Sequence, residues 1–234
     1  SYRSNSDAYR AYWTAGVSND GIFPVSDANF YDAVVSEIKP FYDNPGTDLF
    51  YLTSAGASAM ATKLQSVLDA QECSYEDYVA LTALLQANVV LPESGKFYRI
   101  FNENDKKAPG TMERDYMTVV SSSKYNGATI GLEAARANAG TVLLLSDLDA
   151  TSQTFSLQGQ GRYLAGGGSA QSTLSTMTYH LTAPGIIYLT PGTDMNYVLF
   201  VEPNRTEDPY RIVNWYTNEA SSTARWQIEE AEDI

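Results

Sequence analysis

Hydrophobic positions along the chain change their period near Pro92, and that change separates a helical part from a sheet part. After Ser26-Asp27, a candidate N-cap, Phe30, Ala33, Val34, Ile38 and Phe41 fall on one helical stripe that ends at Asp43-Asn44-Pro45-Gly46. From Ser54, the residues Ala57, Met60, Ala61, Leu64, Val67 and Leu68 follow steps of three and four. Ser74-Tyr75-Glu76-Asp77 then offers a capping box, hydroxyl to backbone amide and carboxylate back to the cap. Tyr78, Leu81, Leu84 and Leu85 continue that helix until Val89-Val90-Leu91-Pro92 stops it. A fourth, weaker helix is expected around Asp7 to Trp13, and Val17 to Pro24 reads as a loop built on Asn19-Asp20-Gly21. Each segment is apolar on one side only, so residues 1–92 are expected to pack as a small antiparallel helical bundle.

Beyond Pro92-Glu93-Ser94-Gly95 the period falls to two. Strands are predicted at 97–100, 117–120, 141–145, 154–157, 163–164, 177–181, 185–189, 197–201, 211–213 and 225–228. Ala165-Gly166-Gly167-Gly168-Ser169, Thr190-Pro191-Gly192-Thr193 and Glu202-Pro203-Asn204 supply turns between them. Many short strands with little helix between them imply a barrel or a sandwich over residues 96–232. The chain is therefore read as α+β with two domains, 1–92 helical and 96–232 all-β.

A weak internal repeat favours a barrel of three lobes. Gln153-Thr154-Phe155 runs into Gly159-Gln160-Gly161-Arg162-Tyr163-Leu164, and the chain closes with Ala224-Arg225-Trp226-Gln227-Ile228-Glu229-Glu230. Both stretches are similar to the Gln-x-Trp junctions between lobes of a β-trefoil, the ricin-B-like fold, and Gly95-Lys96-Phe97-Tyr98-Arg99-Ile100 looks like its opening strand. A helical hairpin ending in Leu-Pro, followed by these strands, resembles secreted or surface proteins of gut Bacteroidetes in which a helical module precedes a β-trefoil. The resemblance spans 75–232. It implies a carbohydrate-binding, non-catalytic module, exported and lipid-anchored in its precursor. The chain departs from the signature at Ala224, where Gln is usual, and at Phe155, where Trp is usual. Another small barrel or a β-sandwich is the alternative fold.

Composition narrows the chemistry. The chain has 234 residues, a formal charge of −13 and only 18% charged residues, while Tyr reaches 17. So acidic a balance argues against wrapping nucleic acid, where cations must displace counterions from the phosphates, and against electrostatic docking on an anionic membrane. A polar, Tyr-rich surface with few charges suits an extracellular or cell-surface location. No apolar run approaches a membrane span. The opening Ser1-Tyr2-Arg3 carries neither Met nor a signal peptide, so a processed chain is expected. One cysteine, Cys73, and one histidine, His180, exclude an internal disulfide, a cysteine zinc site and HExxH chemistry. A Ser-His-Asp triad would have to run through His180, whose alternating surroundings hold no nucleophile elbow; a strand histidine is the expectation. Gly159-x-Gly161 and Gly166-Gly167-Gly168 lack the spacing of a phosphate cradle. No cofactor is implied.

Two places could carry chemistry. In Asn214-Trp215-Tyr216-Thr217-Asn218-Glu219, aromatic rings that can stack on the C–H face of a sugar stand beside amides and a carboxylate that can fix hydroxyls. Alternation puts Trp215 and Tyr216 on opposite faces, so one of them is expected to point outward. Tyr188 and Tyr163 are further ring candidates, with Asn214 and Asn218 as the polar partners. Asp147 and Asp149, at i and i+2 on an extended stretch, are the second place. They could serve a cation or a pair of catalytic carboxylates, against the simpler reading of a solvated turn. Three functions follow: a surface module that binds glycan or glycoprotein, a structural or protein-interaction module of a larger surface assembly, and, lowest, a carboxylate-dependent glycoside hydrolase.

Overall fold

The computed structural model describes residues 29–102, 114–192, 196–202, 210–216 and 224–232. The chain forms two compact units, Ser1–Val90 and Leu91–Ile234.

In the first unit the expected apolar stripe is buried: Phe30, Ala33, Val34, Ile38 and Phe41 are all within about 1% of full burial. Its helix is interrupted. Helix α1 (Tyr31–Ala33) passes into a π-helical turn (Val34–Ile38) before α2 (Lys39–Asp43). Pro40 lacks an N–H and in a regular helix its ring would meet the carbonyl of Ser36; the wider turn, with Lys39 N donating to Val34 O, accommodates it. The expected cap at Ser26-Asp27, the helix around Asp7 to Trp13 and the loop from Val17 to Pro24 lie outside the described residues. Within them, Asn29 Oδ1 accepts the Tyr31 and Cys73 amides at 3.0 Å.

Helix α3 (Ser54–Ala70) is capped by Thr53, whose side chain accepts the Gly56 amide. Helix α4 (Tyr75–Asn88) is capped by Ser74, which accepts the Asp77 amide at 3.1 Å and donates its hydroxyl to the Asp77 carboxylate. Gly56 at the start of α3 lies against Asn88 at the end of α4, and Leu52 pairs antiparallel with Val89. The two helices therefore run antiparallel, burying Met60, Leu64 and Val67 with Tyr78, Leu81 and Leu85. Phe30 stacks on Tyr78, ring centroids 5.3 Å apart. Cys73 is buried at this seam, which pushes its thiol pKa up to about 11, helped by the nearby Asp77 carboxylate.

Among the described residues the second unit contains twelve strands: β1 (Phe97–Asn102), β2 (Arg114–Ser121), β3 (Lys124–Ile130), β4 (Leu143–Asp149), β5 (Thr154–Gly159), β6 (Arg162–Ala165), β7 (Ser169–Gln171), β8 (Met177–Ala183), β9 (Ile186–Pro191), β10 (Tyr197–Val201), β11 (Tyr210–Tyr216) and β12 (Trp226–Glu230). Their antiparallel pairing repeats with a period of four. The first and fourth strands of each lobe pair, as β1–β4, β5–β8 and β9–β12. Successive lobes join through β4–β5, β8–β9 and β12–β1, which closes a six-stranded ring. The middle strands form three hairpins, β2–β3, β6–β7 and β10–β11. A closed ring of six with three hairpins, in this order, is the β-trefoil.

The ring is filled by two layers. Tyr98 opposite Leu143, Phe155 opposite Met177 and Ile187 opposite Trp226 form the first, one pair from each lobe. Two residues along each strand, Ile100 opposite Ile228, Leu145 opposite Leu157 and Tyr179 opposite Leu189 form the second, one pair from each junction. All twelve are buried. The period of two read from the sequence is thus the vertical spacing of core layers.

These registers correct the expected repeat. Phe155 stands on a first strand and Trp226 on a fourth, so they are not equivalent; the counterparts of Trp226 are Leu143 and Met177. Both strand types place residues i and i+2 in the ring, so their local patterns look alike. The strand expected at 141–145 begins at Leu143, after a 3₁₀ turn at Ala139–Thr141. Strands β3 and β7 and the short helix α5 (Leu132–Arg136) were not expected.

Candidate functional site

The third lobe brings the aromatic candidates together. Across β10 and β11, Tyr197 faces Tyr216, Val198 faces Trp215, Leu199 faces Asn214, Phe200 faces Val213 and Val201 faces Ile212. Val198, Leu199, Val201 and Ile212 are fully buried and Phe200 nearly so, which makes the hairpin a rigid support. At its open end the cover stops. Trp215 and Tyr216, on opposite faces, are each 43% exposed, so both point outward rather than one. Alternation buries every second side chain only where the strand is layered on one face, and β11 ends at Tyr216.

The rings form a corner. Tyr216 and Tyr197 lie 5.2 Å apart at 32°, while Trp215 meets Tyr216 edge-on at 6.4 Å and 70°. Phe200 stacks behind Trp215 at 6.0 Å and 26°. Trp215 and Tyr216 therefore meet edge to face, a favourable arrangement of aromatic quadrupoles, at the exposed end of the hairpin. Tyr197 was missed by sequence reasoning; it is found by pairing the strands on either side of residues 202–209, which puts it opposite Tyr216.

The remaining candidates separate. Asn214 is exposed beside the corner, and its Oδ1 accepts the amide of Gly167 from the second lobe at 2.7 Å. Tyr188, on β9, is half-buried against Val198, Phe200 and Ala224 and supports the hairpin from below. Tyr163 is half-buried on β6, opposite Gln171, in the second lobe. Asn218 lies outside the described residues. The hairpin's described cation, Arg211, pairs with Glu202 at 3.3 Å near the turn, away from the corner.

Asp147 and Asp149 do not face one way as an extended stretch would place them. Register slips between Ser146 and Asp149, and Asp147 has a positive φ of 53°. Asp149 Oδ1 accepts the Thr151 and Ser152 amides, and the Ser152 side chain with those bonds holds its carboxyl below the usual range. That is turn-capping chemistry. Among the described residues no three His, Cys, Asp or Glu side chains are grouped to hold a metal ion. His180 is a strand residue with Nε2 3.0 Å from Thr190 Oγ1, and burial lowers its pKa to about 4. No described helix is long and apolar enough to cross a membrane.

No family model matches the chain, and no curated protein matches it. Among solved structures it is similar to a ricin B-like lectin of Macrolepiota procera in complex with lactose, with 13% identity, a TM-score of 0.47 and coverage of 60% of this chain and 99% of that one. It is also similar to SeviL bound to asialo-GM1 saccharide, with 9% identity, a TM-score of 0.40 and coverage of 59% and 99%. A third likeness is to the BEL β-trefoil without ligand, at 10% identity and a TM-score of 0.41, covering 59% and 95%. At these identities the trefoil assignment rests on the strand pairing of this chain.

Proposed function

We propose that the trefoil unit is a non-catalytic carbohydrate-binding module that takes a sugar ring of a glycan or glycoprotein at the corner formed by Trp215, Tyr216 and Tyr197. The observation that carries this reading is the pair of large aromatic side chains, both 43% exposed, held at a steep angle at one end of a hairpin whose Val198, Leu199, Val201 and Ile212 are buried. Exposing two such rings side by side gives up hydrophobic burial, and a sugar's apolar face recovers part of it while its hydroxyls stay in water. The helical unit then serves as a spacer or as a second contact. The same reading puts the chain outside a bacterial cell, anchored at its surface, in keeping with its low charge content and abundant Tyr.

Screening the purified chain on an array of mucin-type and plant glycans tests the binding. Capture of a defined glycan set, lost in Trp215→Ala and Tyr216→Ala, supports the reading. An array with no signal overturns it in favour of a structural or protein-interaction role. Surface proteolysis of intact cells tests the location, which fails if the chain is protected until lysis.

A further inference from the structure

The Gly166–Gly168 turn of the second lobe is where the hairpins of all three lobes meet. From the first lobe, Lys124 Nζ donates to Gly167 O at 3.2 Å. From the third, Asn214 Oδ1 accepts the Gly167 amide at 2.7 Å. Gly168, at φ 68°, has no room for a side chain: a Cβ there would sit 2.8 Å from Ile212 Cβ, 2.9 Å from Ile212 O and 2.9 Å from Tyr125 O. The turn therefore grips β11 twice, at Ile212 through packing and at Asn214 through a hydrogen bond. Trp215 and Tyr216 are the next two residues.

An exposed asparagine beside two aromatic rings looks like a sugar ligand by composition. Its oxygen is instead committed to the backbone of a neighbouring lobe. We propose that Asn214 is a positioning residue, whose side-chain oxygen clamps β11 to the Gly166–Gly168 turn and so fixes the angle of the Trp215–Tyr216 corner. This rests on the corner being the glycan site. Binding at the third lobe is then governed by a turn that belongs to the second.

The clamp needs an acceptor at position 214 and nothing else, and this separates it from a ligand contact. Asn214→Asp keeps an oxygen for the Gly167 amide but loses the amide N–H donors; Asn214→Ala loses both. Three measurements are made on the full chain: hydrogen exchange of the Gly167 amide, the Trp215 indole N–H resonance, and binding to immobilised mucin. In Asn214→Ala, Gly167 is expected to exchange faster by roughly five-fold, the size of one ordinary hydrogen bond, with the Trp215 resonance displaced. Mucin affinity is expected to fall by a similar roughly five-fold factor. Asn214→Asp is expected to keep slow exchange, the native Trp215 resonance and affinity within about two-fold. Equal loss of mucin binding in Asn214→Asp and Asn214→Ala, with Gly167 exchange unchanged in both, overturns the clamp and makes Asn214 a ligand. If the unsubstituted chain ignores mucin and the glycan array, the glycan reading fails, and the exchange and indole measurements still decide the clamp.

Discussion

The indole Nε1 of Trp226 donates to the carbonyl oxygen of Leu199 at 3.0 Å, tying the ring to the hairpin that carries the aromatic corner. Trp226 is fully buried opposite Ile187, and Leu199 is the residue across from Asn214. One side chain thus contributes to the first core layer and ties the β10–β11 hairpin to it.

Removing that side chain acts through both roles. Trp226→Ala is expected to destabilise the trefoil unit by about 3–5 kcal/mol through the cavity it leaves. Trp226→Phe keeps most of the volume but strands the Leu199 carbonyl, for a loss of about 1–3 kcal/mol. Urea unfolding curves of the two variants check the order. Equal losses in both would mean that the ring's packing contributes nothing beyond the hydrogen bond, and an undisturbed Trp226→Phe would mean that the hydrogen bond contributes nothing beyond packing.

Two glycines with the same backbone hand separate conformational strain from crowding. Gly161 has φ 74° and open space, with nothing within 4 Å of where a Cβ would sit, whereas Gly168, at φ 68°, is hemmed in by Ile212 and Tyr125. Gly161→Ala meets only the left-handed backbone penalty, about 1 kcal/mol. Gly168→Ala adds a clash with backbone atoms that cannot turn away, and the expected loss is at least about 3 kcal/mol. Thermal unfolding of the pair tests this.

Gly56 makes the matching case among the helices. Alanine in a helix interior is ordinarily better than glycine by about 0.5–1 kcal/mol. Here a Cβ would lie 2.4 Å from Asn88 Cβ and 2.7 Å from Leu52 Cδ1. Gly56→Ala is therefore expected to lower stability by about 1–3 kcal/mol despite its better propensity, read as a lower melting temperature of the helical unit.

His180 gives the trefoil unit a pH dependence with a definite sign. The Thr190 hydroxyl donates to Thr178 O at 3.3 Å, so it accepts from His180 Nε2, which carries the hydrogen of the neutral ring. Burial lowers the folded pKa to about 4, below the ordinary value of 6.5. The unfolded chain therefore takes up a proton that the folded chain refuses between those values. Stability is full above pH 6.5 and is lost as pH falls toward 4, by on the order of 3 kcal/mol. As the single histidine, its ring proton resonances report the titration directly; a midpoint near 6.5 in the folded protein contradicts the burial. His180→Gln should flatten the melting temperature over this window.

Much of the architecture was legible because it is written in apolar spacing. Phe30 to Phe41, Met60 to Val67 and the paired layers Tyr98/Ile100 and Phe155/Leu157 show it directly, since a side chain two or four positions on faces the same way. The π turn was not legible, because Pro40 marks an irregularity without saying whether the helix breaks or widens. Strand β3 was hidden by Asn126-Gly127, a pair that reads as a turn but here lies mid-strand, with Gly127 opposite Met117 and Tyr210. Strand β7 is three residues long and follows three glycines. In the candidate site Trp215 and Tyr216 stood out by residue type. Tyr197 did not, because its partnership with Tyr216 depends on register across the β10–β11 connection. The engagement of Asn214 by Gly167 spans 47 positions and two lobes, beyond any local pattern.

The central claim is that the Trp215 corner binds sugar. Isothermal titration of the unsubstituted chain and of Trp215→Ala with the mucin-type oligosaccharides captured on the array tests it most directly. Truncating an aromatic at the centre of a binding site costs about 2 kcal/mol or more, so affinity in Trp215→Ala should fall at least roughly thirty-fold while the melting temperature holds. Identical affinity in the two proteins would contradict the account.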